Sequence, residues 1–113
     1  MWRDDALLLD MLVAARRAQR FVADVDWDAF EEGELHQSAV MRALEVIGEA
    51  AGKVSGLMRD AHPEIPWSDI IGMRNRLIHE YSRVDVRKVW DTVQNDIPQL
   101  IAALEPLVPP EEK

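Results

Sequence analysis

The chain has 113 residues, 48% of them hydrophobic, no cysteine and a formal net charge of −8 at pH 7. That length fits one domain with its own core, so residues 1–113 are read as a single domain. Lack of cysteine excludes disulfides and thiolate metal sites and fits a reducing compartment, and the negative charge argues against a general nucleic-acid binder with a broadly basic surface.

The N-terminal residues Arg3, Asp4 and Asp5 are acidic on balance, where a signal peptide would be basic. No apolar run approaches the ~18 residues of a membrane span. The expectation is a cytoplasmic protein with no membrane partner. A first helix is predicted over residues 3–22, where Leu7, Leu8, Met11, Leu12, Ala15, Ala18 and Val22 form a helical stripe. Residues 24–33 lose that pattern and read as a loop or short turn, pinned to the core by Trp27 and Phe30. The second and longest helix is predicted over residues 34–58, with Val40, Leu44, Ile47, Ala51, Val54 and Met58 on one stripe. Gly48, Gly52 and Gly56 recur every fourth residue. Each costs about 1 kcal/mol against alanine in a helix interior, which points to close approach by another helix, of this chain or of a second copy.

Residues 59–66 form a connector, because Pro63 and Pro66 turn their preceding residues away from helix. Pro66 fits the first position of a third helix running to about residue 82. Asp85 is a suitable N-cap for a fourth, whose stripe runs from Val86 through Trp90, Val93, Ile97 and Leu100 to Leu104, with a kink expected at Pro98. The tail from about residue 105, with three prolines, is expected to fray. No segment alternates as a strand would. The fold class is therefore all-α, an antiparallel bundle of four main helices.

The chemistry concentrates in residues 74–81, which read Arg-Asn-Arg-Leu-Ile-His-Glu-Tyr. On a continuous helix Asn75 and His79 share one face, while Arg74, Ile78 and Tyr81 fall on the adjoining one. Arginine is a fixed cation whose planar fork suits phosphate, and histidine exchanges protons near neutral pH. The pairing suits reactions at a phosphodiester. Charge is uneven around it. Residues 72–88 carry Arg74, Arg76, Arg83, Arg87 and Lys88 against Glu80 and Asp85, whereas residues 24–34 hold six acids and no base. His36 and His62 have no ligand spacing with His79, so no metal site and no cofactor is expected. Glu45 and Glu49 sit one turn apart, as exposed charges or as partners for Arg74 or Arg76.

Arginine, four residues, histidine, one residue, tyrosine, with asparagine directly after the arginine, is a pattern that resembles the HEPN superfamily. It is closest to the HepT toxins of HepT–MntA toxin–antitoxin pairs. Residues 39–50 resemble that family's second long helix, residues 62–67 its connector and residues 90–98 its last helix. The resemblance implies a homodimer that joins two motifs across a cleft. It implies a metal-independent RNA endonuclease leaving 2′,3′-cyclic phosphates, with Arg74 and His79 catalytic and Asn75 supporting them. It further implies an MntA-like nucleotidyltransferase antitoxin that AMPylates Tyr81 and silences the toxin. From the residues alone an alternative stays open: a non-catalytic helical dimer holding a nucleotide or protein partner in its cleft, with Arg74 as an anion clamp. A purely structural helical subunit is a third reading.

Overall fold

A computed structural model describes residues 2–109, without the side chain of Trp2. Among the described residues there are helices and turns and no strand. Helix α1 spans Trp2–Phe21, α2 Trp27–Glu32, α3 Glu34–Lys53, α4 Gly56–Ala61, α5 Trp67–His79, α6 Val86–Asp91 and α7 Ile97–Leu104. Helix α3 is the centre of the bundle, packed on α1 along one side and on α5 along another, while α7 closes over α1. Phe30, Leu8, Met11, Val40, Ile65, Leu77, Val89 and Leu104 are the largest fully buried side chains. Fully burying one such aliphatic side chain contributes about 1.5–3 kcal/mol. No helix of the described chain is long and apolar enough to cross a membrane.

The segment expected as a loop at 24–33 holds the short helix α2. Asp26 caps it by accepting from the Ala29 N–H at 2.9 Å, and Phe30 is driven into the core beside Trp27 and Trp90.

The long second helix breaks where its pattern predicts continuity. Helix α3 ends at Lys53, Val54 and Ser55 turn extended, and α4 begins at Gly56. Three side chains hold the break. Ser55 Oγ accepts from the Met58 N–H at 3.1 Å, an N-cap. The buried Asp4 carboxylate accepts from the Ser55 N–H at 3.0 Å and from its hydroxyl at 2.7 Å. These two bonds hold the Asp4 carboxyl below its usual value. Arg59 reaches back to donate to the carbonyls of Ala51, Gly52 and Val54 at 2.9–3.1 Å, satisfying acceptors that a helix end leaves open. The Asp4–Ser55 contact joins the start of α1 to the end of α3, so these two helices run antiparallel.

Pro66 caps α5 rather than opening it, with φ −81° and ψ 72°. Trp67 anchors the helix start, its ring mostly buried and its Nε1–H donating to the His62 carbonyl at 3.0 Å. Helix α5 stops at His79, three residues short of expectation. Glu80 takes a non-helical ψ of 34° and a 3₁₀ turn, Tyr81–Arg83, follows. Between α6 and α7 a π turn, Thr92–Asp96, lies directly ahead of Pro98, with the Ile97 N–H bonded to the Thr92 carbonyl. The wider turn takes up the register change at a proline that lacks an N–H. Beyond α7 the expected fraying does not begin at 105. Glu105–Leu107 forms a 3₁₀ turn, Glu105 meets Arg16 at 2.8 Å, and Leu107 and Val108 pack on the core. The remaining expected tail, residues 110–113, lies outside the described residues.

Candidate active site at the end of α5

Helix α5 comes close to α3 at Gly48. A Cβ at Gly48 would collide with the Cβ of Arg74 and stand 2.9 Å from its Cγ and 3.1 Å from the Ile70 carbonyl oxygen. Gly48 therefore lets the Arg74 backbone come down onto α3 and fixes where its guanidinium starts from. Gly52 and Gly56 have nothing within 4 Å of such an atom. Among the described residues, of these three glycines only Gly48 sits at such a close approach. One turn beyond Arg74, Leu77 is 1% exposed and locks the helix rotation.

That rotation leaves Asn75 and His79 exposed on one face and Arg74 half-buried beside them. Arg74 Nη1–H donates to Asn75 Oδ1 at 3.2 Å, which ties the two side chains together. Its Nε is buried, with no acceptor among the described residues. Among the described residues no carboxylate pairs with this arginine: Glu45 meets Arg42 at 3.4 Å and Glu49 meets Lys53 at 3.8 Å, both along α3. Neither acid fills the role of partner to Arg74 or Arg76. A guanidinium with its charge unopposed and one donor unsatisfied is suited to an incoming anion.

Tyr81 does not continue the helical face. Because α5 ends at His79, it stands on the 3₁₀ turn, 60% exposed. Arg74, Asn75 and His79 share the helix, and Tyr81 follows two residues after its last residue, open to solvent. Ile78, 42% exposed, adds an apolar patch to the same helix end. His62 lies in the connector and faces Glu64 at 3.3 Å, apart from this group. Among the described residues no cluster of three metal-ligating side chains occurs. The motif is legible from its residue types; the seat of Arg74 on Gly48 is not, although the four-residue glycine spacing is its signal.

Comparison with known proteins shows the family. The family described as "Ribonuclease HepT-like" matches residues 11–107. A Thermococcus cleftensis protein described as a probable ribonuclease HepT is 41% identical over 100 residues, 88% of this chain and 91% of that protein. A Methanocaldococcus jannaschii protein described as a candidate RNase is 36% identical over 100 residues, covering 88% and 92%. A similarly described protein of Caldanaerobacter subterraneus is 38% identical over 79 residues, 70% of each chain. No solved structure matches. The family match spans the helices that carry and support the motif, and the chain belongs to the ribonuclease HepT-like family.

Proposed function

We propose that the protein is a metal-independent RNA endonuclease and the toxin of a HEPN/nucleotidyltransferase toxin–antitoxin pair. The observation that carries this reading is the unopposed Arg74 guanidinium, tied to Asn75, with His79 one turn further on the same exposed helix end. In the proposed reaction the ribose 2′-OH attacks the adjacent phosphorus. The 2′-O–P bond forms, the P–O5′ bond breaks, and the products carry a 2′,3′-cyclic phosphate and a 5′-OH. The 2′-OH proton passes to a general base and the leaving 5′-oxygen takes one from a general acid. Arg74 stabilises the charge that builds on the phosphoryl oxygens, and Asn75 holds its fork.

One chain supplies one His79, whereas the reaction uses both an acid and a base. A homodimer that sets two motifs across a cleft provides both. Tyr81, exposed two residues beyond His79, is the proposed target of AMPylation by an MntA-like antitoxin. The added phosphate would bring negative charge to the arginine that otherwise receives RNA. Induced expression of wild type, Arg74→Ala and His79→Ala tests the reading. Growth arrest by wild type alone, relieved by a co-expressed cognate nucleotidyltransferase but not when Tyr81 is Phe, is the expected result. Equal growth of all three with folded protein would favour the non-catalytic helical dimer.

A further inference from the structure

Residues 72–88 hold five cations, and the fold sorts them. Arg87 is committed, 3.3 Å from Asp91 and stacked 4.6 Å over the Trp27 ring. Arg74 belongs to the motif. Arg76, Arg83 and Lys88 are exposed, and among the described residues none of the three has an ion-pair partner. The break at Glu80 brings them together. The 3₁₀ turn follows, its Arg83 N–H bonded to the Glu80 carbonyl at 2.8 Å, and α6 then faces α5 across a recess. The three cations line one recess of about 180 Å³ floored by Leu77 and Val89.

A larger recess of about 660 Å³ lies on the other side of Arg76 and Lys88, which line both. The two differ in charge. The larger adds Glu64, Asp69 and Asp96, and Asp91 already paired with Arg87, to the two shared cations. The smaller adds Arg83, with Glu80 and Asp85 as its acids. Asp85 is already engaged, capping α6 by accepting from the Arg87 and Lys88 N–H groups at 3.0 and 3.4 Å. By formal charge the smaller recess is net positive and the larger net negative, which favours a polyanion at the smaller. On α5, Arg76 and His79 are three residues apart, neighbours on the helix surface. The small recess therefore neighbours the candidate active site on its His79 side, although none of Arg74, Asn75, His79 and Tyr81 lines it.

We infer that Arg76, Arg83 and Lys88 form a phosphate-docking subsite for the RNA strand, engaging a phosphodiester neighbouring the one that is cut. The inference rests on the ribonuclease reading for its ligand but concerns binding, not the chemical step. It explains how a chain of net charge −8 holds a polyanion: by a local positive recess on an acidic body. Phosphate contacts of this kind position the strand and read no base.

The test uses a fluorescent single-stranded 2′-O-methyl RNA, which lacks the attacking hydroxyl, and full-length protein. Anisotropy compares wild type, Arg83→Ala/Lys88→Ala and a charge-matched control, Arg17→Ala/Arg20→Ala, on exposed positions of α1. Two lost phosphate contacts reduce the salt slope by about 1.4, so wild type should lose roughly sevenfold more affinity than the variant between 50 and 200 mM salt. Cleavage of unmodified RNA by the variant should show raised KM and unchanged kcat. Equal weakening by both double variants, or an unchanged salt slope, would overturn the subsite while leaving the nuclease reading intact. Selective loss of binding in a protein that cleaves nothing would sustain the subsite and sink the nuclease. No binding by wild type would overturn the subsite, and no cleavage of unmodified RNA beside it would overturn the nuclease reading as well.

Discussion

Two glycines four residues apart should respond to alanine in opposite directions. At Gly52 nothing lies within 4 Å of an added Cβ, so Gly52→Ala gains helix propensity without a clash. The gain is about 0.5–1 kcal/mol. At Gly48 the same propensity gain meets the Cβ of Arg74 and the Ile70 carbonyl. Neither is the free end of a flexible side chain, so α5 must move off α3. Overpacking of this kind costs about 1–3 kcal/mol, and the balance is a loss of about 0–2.5 kcal/mol. The two variants should therefore differ by roughly 1–3 kcal/mol, and a thermal melt resolves that, since 1 kcal/mol shifts Tm by about 4 °C or more near this size. RNA cleavage should fall further in Gly48→Ala than its stability loss accounts for, because the displaced residue is Arg74 itself. Equal Tm gains for both variants, with full activity in Gly48→Ala, would refute the reasoning.

Other consequences are as direct. Ser55→Ala removes the α4 cap and one Asp4 bond and should lower stability by about 0.5–2 kcal/mol in a denaturant titration. Asp4 has a folded pKa below its unfolded one. Its contribution is therefore present above the unfolded pKa of about 3.9 and is lost as pH falls through the folded value. The wild type's stability advantage over Asp4→Asn should shrink below about pH 4. Leu77→Ala opens a cavity under the motif helix and should cost about 2–5 kcal/mol by the same titration. His79→Ala, at an exposed position, should leave Tm within about 2 °C while reducing cleavage by roughly 10²–10⁴-fold.

The apolar stripes of α1, α3 and α7 were plain in the sequence, because a 3.6-residue period survives any detail of packing. What escaped were the ends. The break at Ser55 depends on Asp4, 51 residues away, and on Arg59 folding back on three carbonyls. Periodicity ran straight across it, since Val54 and Met58 both pack on the core on either side of the break. The end of α5 carried a weaker signal still. No proline or glycine stands between Ile78 and Val84, and the helix yields instead to a 3₁₀ turn that brings Arg83 round beside Arg76 and Lys88. That shift changed the local picture of the site. Tyr81 left the helical face on which its spacing from Arg74 had placed it, while Asn75 and His79, one turn apart inside the helix, kept theirs. Gly48 was visible as a place of close approach, but its partner, Arg74, was known only once α3 and α5 were packed.

The most direct test of the central claim is to digest a defined single-stranded RNA with purified wild type and with His79→Ala, in EDTA, and to identify the 3′ ends produced. The account predicts 2′,3′-cyclic phosphate ends from wild type and intact RNA from an equally folded His79→Ala protein. Intact RNA in both, or 3′-hydroxyl ends that persist in the variant, would contradict it.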